Sequence, residues 1–249
     1  MPQWLEAGIW GLAGGGALVV GALVAWFLRV PRDVVAVVMA FGAGVLTAAA
    51  AFELMDEAEQ TGGLLPTSLG FAAGATGYVL ANLVLARHGA RHRKRSSDQP
   101  AESEQAGSGT AIAVGALLDG VPESVVLGVS LIGGGGVGVA MLAAVVVSNV
   151  PEGLSSVAGM KQAGRSARYV FGVWGGIAVA SGVSAALGNV LLDGAPPGLV
   201  AVITAVAAGA ILAMIADTMI PEAYERARLY TGLCTTAGFL TAFVVERLG

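Results

Sequence analysis

Asp119-Gly120-Val121-Pro122-Glu123 and Ser148-Asn149-Val150-Pro151-Glu152 decide the reading of this chain. Each lies in the middle of a long apolar run, and each sets a proline beside a glutamate. An apolar run of this length crosses a membrane, and a carboxylate near the bilayer centre costs about 2.5–3.5 kcal/mol on insertion scales. Two adjacent runs that repeat the same V-P-E core read as two halves of one polar site inside a helix bundle. On a helix, Asp119 and Glu123 are spaced i, i+4 and share a face, as do Ser148 and Glu152, with Asn149 one position around. Pro122 has no N–H for the carbonyl of Leu118, nor Pro151 for that of Val147, so each proline is expected to kink its helix and free an oxygen. Irregular backbone at membrane depth is tolerated where it lines a cavity. Carboxylate, amide, hydroxyl and carbonyl oxygens in a low dielectric suit a hard divalent cation such as Mg²⁺ or Mn²⁺. The plainer alternative is a pair of proline kinks whose glutamates are protonated, or bonded to a hydroxyl, and serve only packing.

The composition agrees with a membrane bundle. Hydrophobic residues make up 55% of the chain and charged ones 12%, about half the usual share for a soluble domain. Mean hydropathy is +0.77. The 38 glycines suit close helix approach. A single cysteine, Cys234, excludes an internal disulfide and a thiolate metal cluster. No basic segment precedes the first apolar run, so that run reads as a retained span rather than a signal peptide.

Outward from the two motifs, the chain divides into eight spans, at about 8–28, 34–55, 64–86, 110–132, 137–160, 169–192, 199–220 and 231–245. The expected architecture is all-α, one polytopic membrane domain over residues 1–249. The 87–107 stretch begins basic and turns Ser, Asp, Gln, Glu and Pro-rich, which reads as a disordered cytoplasmic loop. Gly133 to Gly136 and Asp193 to Gly198 read as turns. With the N-terminus outside, 12 of the 13 Lys and Arg residues fall in the loops after spans 1, 3, 5 and 7, and only Arg247 lies outside. That asymmetry places both termini outside a cell membrane. Span 2 (Ala43-Gly44 … Glu57-Ala58) and span 7 (Ala208-Gly209 … Glu222-Ala223) share a pattern at a constant offset. They cross in opposite directions, as in an inverted repeat; shared Ala/Gly-rich composition is the alternative.

Other polar residues take subsidiary places. Glu53 and Asp217 lie late in spans 2 and 7 and are candidates for the pathway, with the membrane interface favoured. Asp56, Glu57 and Glu222 read as mouth residues that steer cations. His88 and His92 read as part of a solvated basic tail. Asn82, Ser181 and Ser184 read as interhelical hydrogen-bond partners. Neither a G-x-S-x-G, an H-E-x-x-H nor a phosphate loop is present, so an enzyme is not expected. The basic run at Arg91–Arg95 reads as topology or anionic-lipid contact, not nucleic-acid binding.

With these residues in view, the chain resembles the ZIP (Zrt/Irt-like) metal transporters over nearly its whole length. The likeness rests on the two motifs, on Met219-Ile-Pro-Glu222-Ala223 in span 7, on Ala40-Phe-Gly-Ala-Gly44 in span 2 and on Ser181-Gly-Val-Ser-Ala-Ala-Leu-Gly188 in span 6. Family members carry H-N-x-P-E-G in these motifs. The resemblance implies a binuclear site with Glu123 and Glu152 as bridging ligands, Asp119 and Ser148 in positions usually held by His or another strong ligand, and Asn149 as a second-site ligand. Gly120 stands where an Asn is usual, and Ala185 where span 6 often carries Glu. Both histidines are therefore absent, which shifts the expected cargo away from Zn²⁺ and toward harder ions. The resemblance also implies transport of a divalent cation (zinc, manganese, iron or similar) as substrate, no organic cofactor, and a homodimer in the lipid bilayer. Two further functions stay open: a carrier of this fold with a non-metal or proton-linked substrate, and a non-transporting structural or sensing protein.

Overall fold

A computed structural model describes residues 1–88, 108–132 and 139–248. The described residues form eight helices and no strand. These are α1 (Gln3–Phe27), α2 (Arg32–Gly62), α3 (Leu64–Arg87), α4 (Ser108–Val129), α5 (Val139–Gln162), α6 (Ala167–Leu192), α7 (Pro197–Ala227) and α8 (Tyr230–Leu248). Seven of them, α1 to α7, are long and apolar enough to cross a membrane. The eighth, with 19 residues, ends in Glu246 and Arg247. Gly133 to Gly136 and the 89–107 part of the hydrophilic segment lie outside the described residues.

Local chemistry sets the ends. Pro31 and Pro196 hold extended backbone immediately before α2 and α7, and Pro197 supplies a fixed helical φ in the first turn of α7. The Ser166 side chain accepts from the Tyr169 amide at 3.2 Å and caps α6. After α2, Gly63 takes φ +80°, a conformation that needs no Cβ.

Spans 2 and 7 differ from the sequence expectation. Each continues well past its expected end, through Gly62 and Ala227, to a length of 31 residues. That is about 46 Å at 1.5 Å per residue, longer than the about 30 Å that one hydrocarbon crossing needs. Each also widens into π-helix, over Ala50–Met55 in α2 and Ile215–Met219 in α7. The prolines do not end their helices: α4 runs on through Pro122 and α5 through Pro151.

The helices pack in matched sets. α1 lies against α5 and α6, and α6 lies against α1 and α4. α2 lies against α8 and α5, while α7 lies against α3 and α4. The closest approaches recur in fixed register. A Cβ on Gly44 would collide with the Thr235 carbonyl, and one on Gly209 with that of Phe71. Gly74 meets the Val206 carbonyl in the same way, and Gly238 that of Phe41. Gly153 meets the carbonyl of Leu18, and Gly128 that of Ala185. In every case the second contact is the first one moved along the chain by a constant step. The step is 165 residues from α2 to α7, 164 from α3 to α8, 167 from α1 to α6 and 25 from α4 to α5. The π segments obey it too, since Ala50 and Ile215 are 165 apart.

Two apolar clusters flank the middle of the bundle. One gathers Met39, Leu46, Leu54, Leu127, Met141, Ile211 and Met214. The other gathers Leu18, Ile112, Val157, Met160, Val170 and Trp174. Leu69, Leu80, Val183, Leu187 and Leu240 face outward and are exposed, as lipid-facing positions are.

Candidate ion-binding site

The motif residues of α4 and α5 are all buried. Asp119 and Glu123 are 2% exposed, Glu152 3%, Asn149 4% and Ser148 fully covered. Asp119 and Ser148 sit near the midpoints of their helices. All five side chains are therefore covered within the bundle.

Three of the motif's neighbours come from other helices. Tyr78, on α3, donates its hydroxyl to Asp119 Oδ1 at 2.6 Å. The bond holds the Asp119 carboxyl group against α3. From α1, the carbonyl of Gly14 accepts from Asn149 Nδ2 at 3.0 Å. This fixes the amide and turns its Oδ1 away from that bond. On α6, buried Ser181 sits beside Gly120, where a Cβ would meet its Oγ at 3.6 Å. The space over Gly120 is thus bordered by a hydroxyl. Ser148 and Ser124 bond back to carbonyls of their own helices, at Val145 and Gly120.

Glu222 is placed differently from its reading as a mouth residue. It is 6% exposed and accepts from Ser155 Oγ at 3.0 Å, so the tail of α7 turns a carboxylate into the bundle beside α5. Asp217 is exposed and borders a cavity of about 420 Å³ with Asn82, Arg87 and Thr218. Glu53 is half-buried and borders a cavity of about 410 Å³ with Asp56, Glu57, Glu246 and Arg247. These two cavities lie at matched places, for Phe52 and Glu53 of one step by 165 residues to Asp217 and Thr218 of the other. His88 is exposed with Nδ1 against the Val84 carbonyl, and His92 lies outside the described residues.

Among the described residues, no three His, Cys, Asp or Glu side chains gather closely enough to hold a metal ion. Asp119, Glu123 and Glu152 thus do not form a three-carboxylate cage, and an ion held here needs hydroxyl, amide or carbonyl oxygens or water as well. Ala185, where the resemblance to ZIP transporters leads one to expect a Glu, has no space for one. It is fully buried, with its Cβ against Gly11 and its carbonyl against Gly128, so a carboxylate has no room there. Ala185→Glu is expected to lower the thermal midpoint in detergent by several degrees or prevent folding, since overpacking and an unpaired buried charge act together.

Sequence reasoning missed Tyr78 and Ser155. Tyr78 carried a signal, because it is the single tyrosine in the middle of an apolar run, the others being Tyr169, Tyr224 and Tyr230 near helix ends. Ser155 carried none, since its partner lies 67 residues away on another helix. No protein-family model matches the chain, and no curated protein matches it at a significant level.

Proposed function

We propose that the chain carries a divalent metal cation across a membrane, on a ZIP-like plan, through the buried oxygen groups of α4 and α5. The observation that carries this reading is the burial of Asp119, Glu123 and Glu152 at mid-helix, in a chain whose helices are long and apolar enough to span a bilayer. A soluble-protein core avoids three such carboxylates, and a lipid-facing helix excludes them. Buried anionic oxygens that recur in matched motifs are what a path for a cation requires. Asp119, Glu123 and Glu152 supply charge, and Asn149 and Ser148 neutral oxygens. Tyr78 holds the Asp119 carboxylate in place by its hydrogen bond. With carboxylate and amide donors and no imidazole, the preferred cargo is a hard or borderline ion such as Mn²⁺ or Fe²⁺ rather than Zn²⁺.

The matched glycine contacts support an inverted repeat, with α1 to α3 repeated as α6 to α8 and α4 paired with α5. Each of α1 to α3 stands five places before its mate in chain order, an odd number, so eight crossings make the two copies run in opposite directions. Eight crossings also put both termini on one side, with the Arg and Lys residues of the connecting segments on the other. The packing of α8 along α2, glycine against carbonyl at Gly44 and Gly238, supports counting it as the eighth span.

The test is radiometal uptake into vesicles holding the purified protein, with Mn²⁺, Fe²⁺, Zn²⁺, Co²⁺ and Cd²⁺ in turn. Saturable uptake of at least one ion above protein-free vesicles is expected, and the absence of any ends the metal reading. Tyr78→Phe keeps the ring and removes the donor. It is expected to weaken apparent affinity roughly 10-fold, the lower range for loss of a group that orients a ligand. A second reading, a proton-linked or non-metal carrier, is favoured by the absence of a three-carboxylate cluster among the described residues. Proton flux into the same vesicles without added metal distinguishes it.

A further inference from the structure

One pair of residues occurs twice in the repeat register and is in a different state each time. At one end of the bundle, Ser155 Oγ on α5 donates to buried Glu222 on the tail of α7 at 3.0 Å. A step of 25 residues back from Ser155 reaches Ser130, where α4 ends, and a step of 165 back from Glu222 reaches Glu57, on the tail of α2. The same two residue types therefore occupy the same two places in each half. Here the contact differs: Ser130 Oγ donates to the Leu127 carbonyl of its own helix at 3.0 Å, and Glu57 is exposed.

The two pairs lie at opposite ends. Ser155 and Glu222 belong to the end where Lys161 Nζ donates to the Trp26 carbonyl, the end that carries Arg29, Arg165 and Arg226. Ser130 and Glu57 belong to the end of Asp56, Glu59 and Glu246. When two halves of a bundle share sequence and packing, a conformation taken by one half is open to the other at similar energy. Exchanging the conformations moves a closure from one end to the other. A hydroxyl–carboxylate bond is a suitable latch, because water replaces it at small net cost when the pair opens.

We propose that Ser155–Glu222 and Ser130–Glu57 are alternating latches of the transport cycle, the first closed in this structure at the basic end and the second closed in the opposite-facing state. The π segments at Ala50–Met55 and Ile215–Met219 lie directly before the two latch-bearing tails, where a change of helical register swings a tail with little disturbance of the helix below. This proposal rests on the transport reading, but its central readout needs no metal.

The test uses the full chain in lipid vesicles with Cys234→Ser as background, carrying Glu57→Cys/Ser130→Cys, Ser155→Cys/Glu222→Cys, or all four changes. A short bifunctional thiol reagent is added and the linked peptides are read by mass spectrometry. Both pairs are expected to link, and single molecules of the four-cysteine variant are expected to carry one link and never both. Failure of Glu57→Cys/Ser130→Cys to link while the other pair links overturns the proposal, as does a molecule holding both links. Single substitutions that leave the fold undisturbed give a second arm. Ser130→Ala removes the donor of the latch that is open here and is expected to slow uptake roughly tenfold; unchanged uptake overturns the proposal. If the wild type moves no ion yet the links exclude each other, the metal reading fails and the latches stand. If the wild type moves an ion and both links coexist, the latches fail alone.

Discussion

Glu123→Gln combined with Glu152→Gln is expected to reduce metal uptake by on the order of 100-fold or more while leaving the protein folded. Removal of a group that only orients a metal ligand costs about 10–100-fold, and loss of two charged ligands exceeds that range. The substitution keeps volume and hydrogen-bonding shape, and both side chains are buried at the centre of α4 and α5, so packing is little changed. Desolvation works in the same direction. A neutral amide is easier to bury than a carboxylate, so the double variant is expected to be as stable as the wild type, or more so, without metal. The two readouts together separate function from fold. Lost uptake with an unchanged thermal midpoint assigns the carboxylates to the ion. Retained uptake, or lost uptake with collapse of the midpoint, assigns them to structure.

The second large effect concerns the glycines that set helix separation. Gly74→Val and Gly209→Val are each expected to lower the thermal midpoint in detergent by roughly 10 °C or to prevent folding. At both positions a side chain would run into a backbone carbonyl of the neighbouring helix, Val206 for Gly74 and Phe71 for Gly209. A backbone atom cannot rotate aside as a side chain can, so α3 and α7 must separate along their whole contact. Overpacking in soluble cores costs about 1–3 kcal/mol, and two fully apposed helices have less room to adjust. Loss of close small-residue packing also removes the dispersion contacts that drive association in lipid, where apolar side chains gain nothing by leaving the bilayer. Gly16→Val is the control, since a Cβ there meets nothing within 4 Å, and its midpoint is expected to stay within a few degrees of wild type. Comparable loss at Gly16 and Gly74 would show that helix propensity, not apposition, sets the effect.

Much of the fold was legible because membrane burial writes long apolar runs into a sequence. The described residues form eight helices where eight runs were read, seven of them long and apolar enough to cross a membrane, and the five motif residues are buried. The i, i+4 spacing of Asp119 with Glu123 and of Ser148 with Glu152 was enough, because a helix fixes which side chains share a face. What was missed depends on neighbours far away in the chain. Asp56, Glu57 and Glu59 made the end of span 2 look like its last residue, yet α2 carries them to Gly62 because its tail packs on α7. The same lies behind Glu222, whose charge suggested a watery mouth until Ser155 supplied a donor inside the bundle. The π segments left no mark in composition, since Ala50–Met55 and Ile215–Met219 contain ordinary helix formers. The echo of span 2 in span 7 was visible in four residues, and the glycine–carbonyl contacts match the other helices in pairs, each pair at its own constant step.

The most direct measurement of the central claim, that the buried oxygens of α4 and α5 hold a divalent cation, is the thermal midpoint of the purified protein against Mn²⁺, Fe²⁺, Co²⁺, Zn²⁺, Cd²⁺ and Mg²⁺, with Glu123→Gln/Glu152→Gln alongside. An ion that binds only the folded state at 100 times its Kd adds about 2.7 kcal/mol. For a chain of this size that raises the midpoint by roughly 5–10 °C. The expected result is such a rise for at least one ion, strongest for Mn²⁺ or Fe²⁺, and none in the double variant. A wild type that no ion shifts, or a double variant shifted as far as the wild type, contradicts the account.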